Sequence, residues 1–104
     1  MEHKGMEYKF SAKAFPYSSS ETDVVSWTIV LLPKEMSVEI RENFKWQEEG
    51  WGRMKVTAKI GKSQWKTAIW FDTKHDTYFL PLKAEIRKKE KILPEQDIEV
   101  IIWI

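Results

Sequence analysis

Cysteine is absent from the 104 residues, which excludes disulfides, thiolate metal sites and cysteine nucleophiles. Histidine is scarce: His3 falls in a short N-terminal extension, residues 1–5, and His75 in a polar turn. No apolar run approaches the roughly 20 residues that cross a bilayer. Met1 to Met6 also lack the apolar stretch of a secretory signal. No membrane association is expected, and the chain reads as a cytoplasmic domain of bacterial type. Glycine is too sparse for a phosphate-cradling loop, because Gly50-Trp51-Gly52 lacks the residues and helix that would complete one. A large excess of charge is missing as well, with 17 Lys/Arg against 16 Asp/Glu.

Charge is nevertheless unevenly placed. Residues 1–49 carry 6 Lys/Arg against 9 Asp/Glu, and residues 92–104 carry none against 3. Between them, residues 50–91 carry 11 against 4, a net of +7. A block that basic raises the question of polyanions, although basic and acidic blocks can also face each other or simply be solvated.

What is present is strand pattern punctuated by proline. Tyr8 to Ala14 alternates apolar with polar residues, the signature of a half-buried strand, and Pro16 is expected to end it. The polar stretch Tyr17 to Asp23 reads as a mobile loop. Val24 to Leu32 is a near-continuous apolar run that predicts a strand buried on both faces. It meets Pro33, and a helical stretch follows in which Met36, Ile40 and Phe44 form one stripe. Ser37 could cap a helix that starts one turn late. The same device recurs: Thr77 to Leu80 meets Pro81, then a basic helix over Leu82–Lys91 is expected to stop before Pro94. Proline holds its predecessor extended yet fits a helix's first turn, so Leu32 and Leu80 are expected strand ends.

Between these units lies a hairpin. Gly61-Lys62 has the Gly-X form of a type II′ turn, which pairs Ile60 with Ser63, Ala58 with Trp65, Val56 with Thr67 and Met54 with Ile69 on the core face. The outer face then carries Arg53, Lys55, Thr57 and Lys59 against Gln64, Lys66, Ala68 and Trp70. Ile98, Val100 and Ile102 mark a closing strand. The expected order is β-β-α-β-β-β-α-β, about six strands, a small mainly antiparallel barrel with two short helices.

Several segments carry the likeness to a family: Gly52-Arg53-x-Lys55-Val56, Trp65-Lys66-Thr67, Tyr78-x-Leu80-Pro81-Leu82-Lys83, Ile86-Arg87-Lys88 and Asp97-x-Glu99-Val100. Across positions 6–104 the chain resembles the uncharacterised, mostly bacterial domain-of-unknown-function family nineteen-oh-five. That resemblance implies a double-split β-barrel, the fold shared with transition-state-regulator and antitoxin DNA-binding domains, which complete the barrel by dimerising. Two Leu-Pro units in one chain would let a monomer suffice. The chain departs from the regulators between Pro81 and Arg87, and at Gln96, where glycine is usual, so their DNA contacts cannot be assumed for it.

No catalytic constellation emerges. Asp72, His75 and Asp76 could present two carboxylates and an imidazole to a metal, but polar turns of this kind are commonly only turns. Ser18-Ser19-Ser20 have no His/Asp partner at a recognisable spacing, and Glu48-Glu49 need not converge on anything. A non-enzymatic binding or interaction module without cofactor is expected, with nucleic acid the first partner to consider. Its candidate surface is Arg53, Lys55, Lys59, Lys62, Lys66 and Trp70, cations and an aromatic on one two-stranded ribbon. Exposed strand lysines also discourage edge-to-edge aggregation, and that plainer role stands ahead of binding. Arg53 opposite Trp70 predicts a cation–π contact. The rival reading is a small-ligand barrel using aromatics around Trp51 and Trp70.

Overall fold

Every strand pairing is antiparallel in the computed structural model, which describes residues 5–17, 27–93 and 95–104. The hairpin forms β4 (Arg53–Ile60) and β5 (Ser63–Asp72), in the register its alternation predicts, from Arg53 opposite Trp70 to Ile60 opposite Ser63. Gly61 takes a φ of 59° and Lys62 stays at negative φ, the disposition of a type II′ turn. Met54, Val56, Ala58 and Ile60 are all buried.

Upstream lie β1 (Glu7–Lys13), β2 (Phe15–Tyr17) and β3 (Trp27–Leu31), then α1 (Lys34–Phe44). After the hairpin come β6 (Thr77–Pro81), α2 (Ala84–Lys89) and β7 (Asp97–Trp103). The element order is therefore β-β-β-α-β-β-β-α-β, with one strand more than expected. Pro16 does not end pairing, because β2 is the last strand of the sheet and has one unpaired side that tolerates a missing N–H. The loop expected over Tyr17–Asp23 lies, beyond Tyr17, outside the described residues, as do Val24 to Ser26.

The sheet order is β1-β7-β4-β5-β6-β3-β2. Its two outermost strands are successive segments of one chain joined through buried Ala14, so the sheet curls back towards itself. That order also relates two ββαβ halves. β7 pairs with β4, β6 pairs with β3, and β5 does in one ten-residue strand what β1 and β2 do together. Within the β3–β6 pair, Leu31 sits opposite Phe79, each two residues before its proline. The repeated Leu-Pro step is thus a local two-fold.

Ile29 and Val30, neighbours pointing to opposite faces, are both fully buried, as the apolar run predicts. Met36, Ile40 and Phe44 of α1 pack on the central cluster, which holds Tyr8, Val30, Leu80, Val100 and Ile102. α1 begins immediately after Pro33, whose carbonyl accepts from Ser37 N–H at 2.9 Å. Ser37 is therefore not a cap; its buried hydroxyl accepts the Tyr78 N–H at 3.1 Å and fastens helix to sheet. α2 is shorter than Leu82–Lys91. Leu82 stays with the sheet through its N–H on the Thr28 carbonyl, 2.8 Å. At the other end Lys91 adopts φ 53° while Lys91 and Ile92 N–H return to the carbonyls of Lys88 and Arg87. This Schellman closure stops the helix; Pro94, expected to do so, lies outside the described residues. Among the described residues no helix is long and apolar enough to cross a membrane.

Candidate polyanion-binding face

β4 and β7 pair only through Thr57–Lys59 against Ile101–Trp103, and β4 continues through Arg53–Val56 past the end of β7. A short seam between two twisted strands leaves a gap at each end. At one end lies an open groove of about 850 Å³, lined by Arg53, Lys55, Thr57, Gln64 and Lys66 from the outer hairpin face, with Val56, Trp65 and Thr67 between them. Trp103, Ile104 and Gly5 form its other wall. At the opposite end a smaller groove of about 490 Å³ is lined by Lys9, Ser11, Lys59, Gly61, Glu99 and Ile101, among others.

The predicted cations thus divide. Arg53, Lys55 and Lys66 share the larger groove, and Lys59 lines the smaller one. Lys62 sits at the turn, where its N–H donates to Glu90 Oε2 at 3.3 Å beside the Ser63 hydroxyl. Along the outer face between the two ends the side chains are open: the Lys55 side chain is 74% exposed, and Gln64 and Lys66 are exposed too. The other end is more closely packed. Trp70 stacks on Phe79 with ring centroids 5.9 Å apart and lies under the Arg53 guanidinium at 5.6 Å, the cation–π contact the register predicts. Trp70 lines neither groove, and the Trp51 side chain lies outside the described residues.

Two participants were not assigned to this surface from the sequence. Thr57 pairs with Lys66 on one side and Trp103 on the other, so Trp103, Thr57 and Lys66 form one row across three strands. The Trp103 indole N–H donates to Glu7 Oε1 at 3.0 Å, which holds the ring against the groove. The alternation of β7 marks Trp103 as outward-facing, but only the β4–β7 register brings it to the cations. The second participant is Glu49. Its backbone N–H donates to the Arg53 carbonyl at 2.6 Å, and its carboxylate takes Arg53 Nη1 at 2.7 Å and Lys55 Nζ at 3.8 Å. These are solvent-exposed pairs worth about 0–1 kcal/mol each, weak enough for a competing anion to displace. No ion pair engages the Lys66 ammonium among the described residues.

Glu48 and Glu49 diverge. Glu48 turns inward, where the Tyr78 hydroxyl donates to its carboxylate and Arg41 Nε lies 3.4 Å away. In the Asp72–Asp76 turn, Asp72 is buried and occupied locally: it accepts the Lys74 N–H at 3.0 Å and meets His75 Nδ1 at 2.5 Å. Asp76 instead approaches Lys34 at 4.0 Å. Among the described residues no three His, Asp or Glu side chains converge as metal ligands would. His3 and Ser18-Ser19-Ser20 lie outside the described residues.

The arrangement offers cations and an indole beside one open groove, with its anionic competitor, Glu49, already in contact with two of those cations. No curated protein sequence matches the chain. A family model does match, over residues 10–102, and the chain belongs to the family described as Domain of unknown function (DUF1905).

Proposed function

We propose that this domain is a non-enzymatic binding module that holds a polyanion, nucleic acid first among candidates, against the outer face of the β4–β5 hairpin. The observation that carries the reading is the convergence of Arg53, Lys55 and Lys66 on one solvent-facing groove walled by Trp103. Resistance to edge aggregation accounts for lysines on a strand, but it needs neither a groove nor an indole beside them. The curled sheet of two interlocked ββαβ halves is read as a double-split β-barrel completed within one chain.

Binding that neutralises about three phosphates gives log K a slope of roughly −2 against log salt for a single strand. Fluorescence anisotropy of labelled DNA and RNA oligomers across a salt series measures this directly. Lys55→Glu combined with Lys66→Glu should weaken binding at least tenfold and flatten the slope. Unchanged affinity in that double variant, or no anisotropy rise at low salt with micromolar protein, would sink the proposal.

A further inference from the structure

We infer that the ligand of this groove is a single strand, with a base stacked on Trp103 and the adjoining backbone on Lys66 and Lys55; the inference rests on the polyanion reading above. The row Trp103–Thr57–Lys66 places an indole, a hydroxyl and an ammonium on three neighbouring strands. Strand spacing of about 4.8 Å puts the first and last roughly 10 Å apart. That is the disposition of an aromatic platform beside an electrostatic track. The indole is not a loose surface group. Its N–H is held by Glu7, and its position at the end of β7 is secured by Met6 and Ile104, which exchange backbone hydrogen bonds at 3.1 and 3.0 Å.

Charge argues in the same direction. A duplex presents one negative charge per about 1.7 Å of axis and keeps its bases stacked within. It therefore calls for a broad excess of cations and makes no use of an indole. Here the cations of the groove, Arg53, Lys55 and Lys66, are flanked by the carboxylates of Glu49, in contact with two of them, and Glu7, on the indole. A flexible strand can lay a few phosphates on these cations and turn one base onto Trp103. A rigid double strand cannot avoid the flanking acids so readily.

The test compares labelled oligo-dT and oligo-rU of about twelve nucleotides, within the 4–16 typical of one small binding domain, with a duplex of the same length in the same buffer. Single strands should bind at least tenfold tighter than the duplex. Trp103→Leu, which keeps apolar bulk but removes the π face, should lose roughly tenfold on single strands, and Trp103→Phe should retain most of the affinity. Circular dichroism of both variants establishes that the closing strand is intact. Equal binding of duplex and single strand, or Leu as good as Phe, overturns the inference and leaves the polyanion reading standing. Binding of neither overturns both.

Discussion

Tyr8 and Tyr78 show how far two buried residues of one type can differ. Each is buried in the core, and burial, the largest cause, pushes both phenols above their ordinary value of 10.0. For Tyr78 the hydrogen bond to Glu48 adds to that rise; for Tyr8 the charge of Glu39 does. The Tyr8 hydroxyl has no hydrogen-bond partner among the described residues. Tyr78→Phe strands the Glu48 carboxylate with Arg41 alone and should cost about 1–3 kcal/mol in urea unfolding, whereas Tyr8→Phe should be neutral or slightly stabilising. A larger loss from Tyr8→Phe than from Tyr78→Phe would contradict the assignment. The sign of the pH effect follows from the same shifts. The unfolded chain releases these protons first, so both contributions are fully present below pH 10 and are lost as pH rises past it towards the folded values. The inward position of Tyr8 was legible from the alternation of Tyr8 to Ala14. That Glu48 would enter the core while Glu49 faced solvent was not, because nothing local distinguishes the two acids.

Among the elements, the ends were harder to read than the bodies. The stripe Met36, Ile40 and Phe44 followed from period alone, and the full hairpin register from alternation anchored by the Gly61-Lys62 turn. Ser37 was misleading because a serine near a helix start has two uses, cap or tertiary acceptor, and only the approach of β6 makes it the second. The closure of α2 hid for a related reason. Its Schellman position holds Lys91 where glycine is usual. Lys91→Gly should therefore relieve the left-handed backbone and raise stability by about 0.5–1 kcal/mol, read as a higher urea midpoint at unchanged slope. A lower midpoint would mean that the lysine side chain compensates for its own backbone cost. Trp103 was missed as a site residue because β7 contributes it through a partner strand more than forty positions away in sequence, a distance that no local pattern spans.

At the scale of the whole molecule, the repeated Leu-Pro step places the face proposed for binding. The two strand–Pro–helix units meet at Leu31 and Phe79, and the same two-fold sets β4 against β7 in a seam of three residue pairs. Because that seam is short, it opens into grooves at both ends, and the larger gathers Arg53, Lys55, Lys66 and Trp103. The duplication was legible from sequence, but the grooves were not, since they depend on how little of β4 and β7 is paired. The proposal therefore places ligand contacts in the larger groove and not at the basic end of α2. Titrating oligo-dT into isotopically labelled protein and following amide and indole N–H resonances tests it most directly. Shifts should concentrate at Arg53–Thr57, Gln64–Thr67 and the Trp103 indole. Shifts centred instead on Arg87, Lys88 and Lys89, with the Trp103 indole unmoved, would contradict it.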